Sequence, residues 1–154
     1  MARSSWLGWA VASVMMTGMG TAPPALRIES QQVPRNIQDI RVPLTLKASG
    51  VAALQAELRY DPEQLHFREA VASDGVKRAE KQLTANGEHP GVIRLLLFGF
   101  NQHTLPEGAI AAIVFERREA KAGTAPIAIT TLSATNAKGQ AIALKPLDGT
   151  VTLH

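Results

Sequence analysis

The amino-acid sequence predicts an all-β fold, a sandwich of about nine or ten short strands. Three observations carry this prediction. Apolar residues recur at every second position in most segments from residue 40 onwards, turn residues separate these segments at short spacing, and no segment shows the period of a long helix. A strand that is apolar on one side needs a second layer to cover that side, which favours two stacked sheets.

Length and composition narrow the classes of protein that fit. The chain has 154 residues and no cysteine, which excludes a disulfide scaffold, a thiolate metal site and a cysteine nucleophile. It carries 16 Lys and Arg against 13 Asp and Glu, and the basic residues are dispersed rather than clustered. This charge pattern gives no electrostatic footprint for nucleic acid, so we expect no nucleic-acid partner.

The first twenty residues have the order of a secretory signal peptide. One positive charge at Arg3 precedes an apolar stretch at 6–16, and small residues follow up to Gly20. A retained membrane anchor is the less favoured alternative, because about 20 apolar residues are needed to span a bilayer. The sequence therefore predicts a signal peptide at 1–20, a single domain at 21–154, and a secreted or periplasmic protein with no membrane span after cleavage.

The first two predicted strands are 40–47 and 51–60. In 40–47 Pro43 lies on the polar side and lacks a ladder donor, which favours an edge strand. In 51–60 Gln55, Glu57 and Arg59 share one side, and the apolar residues occupy the other. The predicted inward residues of this strand are Ala52, Leu54, Ala56, Leu58 and Tyr60.

The next segments continue the strand pattern. Asp61-Pro62 predicts a turn, since proline fixes φ and aspartate caps the bend. In 65–71 the residues Leu65, Phe67 and Val71 are expected inward, and Glu69 breaks this pattern. Further strands are predicted at 109–116, 125–132, 134–144 with a turn at Lys138-Gly139, and 149–154. The segment 76–83 is either a strand or helical.

The segment 91–100 is a nearly continuous apolar run between Gly91 and Asn101, as expected of a central strand. With Leu96, Phe98 and Phe100 placed inward, the outward residues are Ile93, Leu95, Leu97 and Gly99. An outward row of large aliphatic side chains predicts an exposed patch that binds a partner. The alternative is that the segment 72–90 covers it. On the first interpretation, Leu97→Asp leaves folding largely intact and abolishes partner capture.

The sequence contains no motif of a hydrolase, metalloprotease or nucleotide-binding enzyme. His66 falls on the polar side of its strand, and a metal pair of His89 and His103 is disfavoured because no acidic or thiolate partner lies nearby. We therefore predict a non-enzymatic protein with no catalytic residues, no metal site and no cofactor.

Glycan binding is the alternative function from a different class. Secreted β-sandwiches that bind sugars normally present Trp or Tyr side chains as flat platforms. Both tryptophans, Trp6 and Trp9, lie in the predicted signal peptide, and Tyr60 falls in the core phase of its strand. A carbohydrate-binding module thus remains the second hypothesis, with polysaccharide as the less favoured partner.

Three segments together resemble the cohesin module of cellulosomal scaffolding proteins: 40–67 with its Arg-Tyr-Asp-Pro corner, 91–116, and the closing 138–153 with Gly-Thr-Val-Thr-Leu. The resemblance implies a nine-stranded jelly-roll sandwich. It also implies that a flat sheet face, including the strands at 51–60 and 91–100, binds a calcium-loaded dockerin helix pair.

In that family the calcium belongs to the dockerin partner. The best-known cohesins carry Asn where this chain has Ala53, and Asp where it has Gln55, so the resemblance implies that two polar recognition groups are missing here. The residues predicted to bind the partner are Ala53, Gln55, Glu57, Leu95, Leu97 and Gly99.

Overall fold

The computed structural model describes residues 23–119 and 121–154. The predicted signal peptide at 1–20 lies outside the described residues. The strands of the described part are β1 Ala25–Ile28, β2 Gln31–Val33, β3 Asp39–Lys47, β4 Ala53–Arg59, β5 Leu65–Ala72, β6 Gln82–Asn86, β7 Val92–Phe98, β8 Gly108–Arg117, β9 Gly123–Thr135, β10 Ala141–Ile142, β11 Lys145–Leu147 and β12 Gly149–Leu153. They form two sheets packed face to face, with strand orders β11-β1-β3-β8-β5 and β2-β12-β9-β4-β7-β6, and β10 pairs with β9.

The core lies between the two sheets and follows from alternation along the strands. In β3 every second residue is buried, from Ile40 to Leu46, and β4 and β7 show the same period. Phe115 of β8 is fully buried at the centre, where the ring of Tyr60 lies 5.1 Å from it. The predicted inward orientation of Tyr60 is thus confirmed.

The prediction of an all-β sandwich is confirmed. The described residues hold twelve strands rather than nine, because short strands such as β1, β2 and β11 add to the ones predicted. The segment 76–83 divides: a five-residue helix α1, Asp74–Arg78, is capped by the hydroxyl of Ser73, and β6 begins at Gln82. Within the described ranges no helix is long and apolar enough to cross a membrane.

The turn predicted at Asp61-Pro62 is present. The carboxylate oxygen Oδ1 of Asp61 accepts a hydrogen bond from the backbone N–H of Glu63 at 2.9 Å, and its carbonyl accepts one from the N–H of Gln64 at 3.2 Å. The side chain and backbone of one aspartate therefore close the corner between β4 and β5.

Pro43 does not mark an edge strand, so that prediction was wrong. Strand β3 lies between β1 and β8. The carbonyl of Pro43 accepts a hydrogen bond from the N–H of Glu29 at 3.0 Å, just beyond the end of β1 at Ile28. Because the N and C=O of one strand residue point to the same side, the missing donor faces the place where β1 ends and weakens no pairing with β8.

A β-bulge explains why Glu69 breaks the pattern of β5. The pairing of β5 with β8 shifts between Phe67 and Glu69. After this shift Ala70 and Ala72 pack against the core, so Val71 is not the inward residue that uniform alternation predicts. One extra residue at Arg68 reverses the sides of all the residues that follow.

Candidate protein-binding face

The outer sides of β9, β4, β7 and β6 form one continuous surface, which we call the outer face. In one row Gln55 lies opposite Ser133 on β9 and Leu96 on β7, and Leu96 lies opposite Thr84 on β6. In the next row Glu57 lies opposite Arg94. A shallow depression lined by residues of β4, β6 and β7 follows these two rows.

Strand β4 presents the side that the sequence predicts. Leu54, Ala56 and Leu58 are buried, whereas Gln55 is exposed and Glu57 is half-buried on the outer face. The outward orientation predicted for the polar residues is confirmed. The role of Gln55 and Glu57 in binding a partner stays a prediction.

The side of β7 that lies on the outer face is the opposite of the one predicted. Ile93, Leu95 and Leu97 are at most 1% exposed and belong to the core. The predictions that Leu95 and Leu97 face outward to a partner were therefore wrong. The residue that settles the orientation is Arg94, which shares a side with Leu96 and whose charge would be costly to bury.

The effect predicted for Leu97→Asp is reversed by this orientation, because an aspartate there would be buried among apolar side chains. The apolar residues that β7 and the following loop place on the outer side are Leu96, Phe98 and Phe100, which we call the apolar stripe. Leu96 is 38% exposed, Phe98 is half-buried, and Phe100 is 98% exposed. Sequence reasoning missed these residues, and the charge of Arg94 in the same phase was the signal that could have found them.

Gly99 is half-buried against the turn before β6. A Cβ atom at this position would lie 2.8 Å from Cδ of Lys81 and 3.0 Å from the carbonyl oxygen of Glu80. This contact leaves no room for a side chain on Gly99. Strand β6 pairs edge to edge with β7, so the segment 72–90 extends the sheet and leaves Leu96 uncovered.

Glu57 connects three strands of the outer face. Its Oε2 accepts a hydrogen bond from the hydroxyl of Thr130 on β9 at 2.9 Å and lies 3.4 Å from Nη2 of Arg59, and its Oε1 lies 3.3 Å from Nε of Arg94 on β7. The Thr130 hydrogen bond, followed by the hydrogen bond and charges of the two arginines, holds the pKa of Glu57 below the usual value of a glutamate. The carboxylate is therefore ionised at neutral pH, and its charge is already neutralised.

The loop that follows β7 is fixed to the turn before β6. Nδ2 of Asn101 donates hydrogen bonds to the carbonyls of Glu80 at 3.1 Å and Ala79 at 3.4 Å. Nζ of Lys81 donates to the carbonyl of Asn101 at 3.4 Å. We call this set of contacts between 79–81 and 99–103 the loop clamp.

Lys81 and His103 complete the loop clamp. The side chain of Lys81 is buried, and this burial lowers the pKa of its ammonium group. The backbone N–H of His103 donates a hydrogen bond to Oδ1 of Asn101 at 3.0 Å. The ring Nδ1 of His103 donates one to the carbonyl of Ala79 at 3.0 Å, since a carbonyl can only accept. Each of these bonds restrains a residue close to Phe100.

The histidines do not converge on one site. His66 is exposed, as predicted, and His103 is engaged in the loop clamp. Among residues 23–119 and 121–154, no three or more His, Asp or Glu side chains are grouped in a way that could hold a metal ion.

Comparison with known proteins identifies the family and the fold. The cohesin domain family matches residues 32–153. Among solved structures, the sixth cohesin of scaffoldin B from Acetivibrio cellulolyticus, in complex with a mutant Cel5 dockerin, superposes with a TM-score of 0.75 at 19% identity over 86% of this chain and 100% of that one. No curated protein sequence matches the chain.

Two further solved structures are similar. A type I cohesin–dockerin complex from Clostridium thermocellum gives a TM-score of 0.75 at 19% identity, over 86% of this chain and 100% of that one. A non-cellulosomal cohesin from the archaeon Archaeoglobus fulgidus gives 0.73 at 15% identity, over 86% and 92%. At such identities the likeness shows the fold.

Proposed function

The chain belongs to the cohesin domain family, and we propose that it is a secreted or periplasmic, non-catalytic module that captures a dockerin-like helix pair through its outer face. The calcium ions of such a complex would be held by the partner. The signal-peptide pattern at 1–20 supports export of the protein.

The composition of the outer face is the observation that carries the proposal. Its centre is the apolar stripe, and its flanks are polar residues such as Gln55, Ser133 and Thr84. Protein-binding surfaces combine an apolar centre with a polar rim in this way. Several of the similar solved structures are cohesins bound to dockerins, which supports a dockerin-like occupant.

The partner would differ from those of the best-known cohesins. The resemblance implies Asn and Asp at the positions of Ala53 and Gln55. Here the first position offers only a methyl group, and the second offers an uncharged amide on an exposed side chain. Glu57 keeps its charge, but Arg94 and Arg59 neutralise it. We therefore propose a partner that relies less on polar groups at this row and more on apolar contact with the stripe.

The alternative is a carbohydrate-binding module. Its platforms would have to come from the aromatic residues of the outer face, Phe98 and Phe100. Their ring planes are 85° apart with centroids separated by 6.1 Å, so the two rings form no flat surface for a sugar. This geometry counts against glycan binding.

The proposal is tested by affinity capture from an extract of the source cells, with calcium or with a chelator, using the wild-type protein and Gln55→Arg as bait. The matched control is Gln38→Arg, the same change at an exposed residue of the loop before β3. We expect capture of a protein that carries paired calcium-binding helix repeats, lost with the chelator and with Gln55→Arg but kept with Gln38→Arg. Capture of polysaccharide alone would instead establish the second hypothesis, and equal capture by both variants would place the site elsewhere.

A further inference from the structure

Phe100 is the most exposed large apolar side chain among the described residues. It is 98% exposed, whereas the next two, Ile37 and Leu96, are 41% and 38% exposed. Exposing a whole aromatic ring to water forfeits the hydrophobic free energy that its burial would give. The sequence places this ring outside although Gly99 and Asn101 on either side of it are held against the protein.

The loop clamp fixes the backbone on both sides of Phe100. Gly99 packs against the turn before β6 with no space for a Cβ atom, and Asn101 donates to the carbonyls of Ala79 and Glu80. Both flanking residues are thus restrained by contacts that Phe100 itself does not make. The one aromatic contact of Phe100 is the edge-on meeting with Phe98.

The loop clamp restrains the backbone from which the ring of Phe100 projects, so the place of this residue on the surface is set before a partner arrives. Ordering a flexible side chain and its loop at an interface costs conformational entropy, which weakens binding. The loop clamp removes part of this cost in advance for Phe100. Aromatic side chains carried on a restrained backbone are typical anchors of protein interfaces.

We propose that Phe100 is the anchor residue of the outer face and that it enters an apolar pocket on a helix of the calcium-loaded partner. The loop clamp acts as the positioning device. This inference rests on the proposed function, since it names the recognition element that the helix pair would meet.

The spacing of the apolar stripe fits a helix that lies along β7. Leu96 and Phe98 are two residues apart on one strand, which separates them by about 7 Å, and the rings of Phe98 and Phe100 are 6.1 Å apart. Residues four apart on a helix rise about 6 Å along its axis. A partner helix along the stripe can therefore set one small or apolar residue over each stripe residue, with the pocket for Phe100 at its end.

The test uses a yeast-displayed library of calcium-loaded dockerin modules that includes the Cel5 dockerin of Acetivibrio cellulolyticus. Binders are selected on the wild-type protein and then measured on Phe100→Ala and on Ile37→Ala. Ile37 is the matched control, because it is an exposed large apolar residue in the loop between β2 and β3. We expect calcium-dependent binders that lose about 30-fold or more of their affinity for Phe100→Ala, as at an interface hot spot, and that bind Ile37→Ala as tightly as the wild type.

The outcomes separate this inference from the proposed function. Calcium-dependent binders that hold Phe100→Ala as tightly as the wild type would overturn the anchor and leave the proposed function standing. If no calcium-dependent binder is recovered, both are wrong. Far-ultraviolet circular dichroism of Phe100→Ala should match the wild type, because an almost fully exposed ring contributes little to folding.

The positioning role of the loop clamp has its own test in a double-mutant cycle. Asn101→Ala removes the hydrogen bonds to Ala79 and Glu80 and should weaken the same binders several-fold. In the Phe100→Ala background the Asn101→Ala change should cost nothing further, because Asn101 acts through Phe100. Additive losses of affinity would show that Asn101 does not position the ring.

Discussion

Strands β4 and β7 are neighbours in the same sheet, yet only one of them reveals its orientation in the sequence. Strand β4 has Gln55, Glu57 and Arg59 on one side and apolar residues on the other, so its two sides differ in chemistry. Strand β7, Val92–Phe98, is apolar on both sides except at Arg94. Inward and outward residues can be told apart only where they differ, and on β7 a single charge carries all of that information.

The difference also underlies the roles that we propose for the two strands. The outer side of β4 is polar, and the charge of its Glu57 is neutralised by Arg59 and Arg94. The outer side of β7 carries the apolar stripe. An apolar run is expected of a strand covered on both faces, but here Leu96 remains 38% exposed, and an exposed apolar side is a feature of partner-binding surfaces. The feature that made β7 hard to interpret is therefore the one on which its proposed binding role rests.

The largest expected effect comes from a charge on the inner side of β7. Leu97 is fully buried, so Leu97→Asp should lower the free energy of unfolding by about 4 kcal/mol or more and leave much of the protein unfolded. The matched control is Leu96→Asp, one residue away on the outer side, which should stay folded. Chemical denaturation followed by circular dichroism measures both. A folded Leu97→Asp variant with an unfolded Leu96→Asp variant would reverse the assigned sides.

A smaller loss is expected from shortening buried side chains on the two strands in parallel. Leu58 on β4 and Leu95 on β7 are both at most 1% exposed. Leu58→Ala and Leu95→Ala should each cost about 2–5 kcal/mol of stability through lost burial and the cavity left behind. Urea denaturation midpoints would measure these losses. Near-zero loss for Leu95→Ala alone would show that β7 contributes less to the core than β4.

The ion pair between Glu57 of β4 and Arg94 of β7 predicts that stability depends on pH. The folded-state pKa of Glu57 lies below its unfolded value, chiefly through the Thr130 hydrogen bond, so its carboxylate stabilises the fold above the unfolded pKa and loses that effect as pH falls through the folded pKa. Glu57→Gln should therefore be less stable than the wild type at pH 7, and the difference should shrink as the pH drops below about 4. Thermal unfolding at pH 3, 5 and 7 measures this trend, and a difference that grows towards acid would contradict it.

The smallest effect on stability is expected at the outermost residue of the apolar stripe. Phe100→Ala should change the free energy of unfolding by less than about 0.5 kcal/mol, because its ring is 98% exposed. Differential scanning calorimetry of this variant beside the wild type would check it. A clear loss of stability would mean that the ring packs against the protein. The inner and outer sides of β7 would then differ less in burial than we describe.

Much of the fold could be predicted because most strands alternate cleanly. The sides of β3 and β4 and the Asp61-Pro62 turn all follow from local chemistry. Strand β6 could not be recognised, because Gln82–Asn86 is an edge strand with little apolar side to give it a period. The bulge at Arg68 reverses which residues of β5 face inward, and no residue type in this segment is typical of a bulge.

The orientation of the outer face was predicted in part for the same reason. Gln55 and Glu57 were placed outward because polar residues on a strand seek water. The apolar stripe was missed because Phe98 and Phe100 are aromatic, and burial is the common fate of aromatic side chains. The loop clamp that flanks Phe100 joins 79–81 to 99–103, which are about twenty residues apart in sequence, so no local pattern signals it.

The pairing of β2 with β12 and of β1 with β11 joins the two ends of the described chain. Both pairings are parallel, and they bring Gln31 beside Val151 and Ala25 beside Lys145. Contacts between residues so distant in sequence form late and slow folding. Among the described strands β2 pairs only with β12, so this edge of its sheet can form only once residues 149–153 are in place.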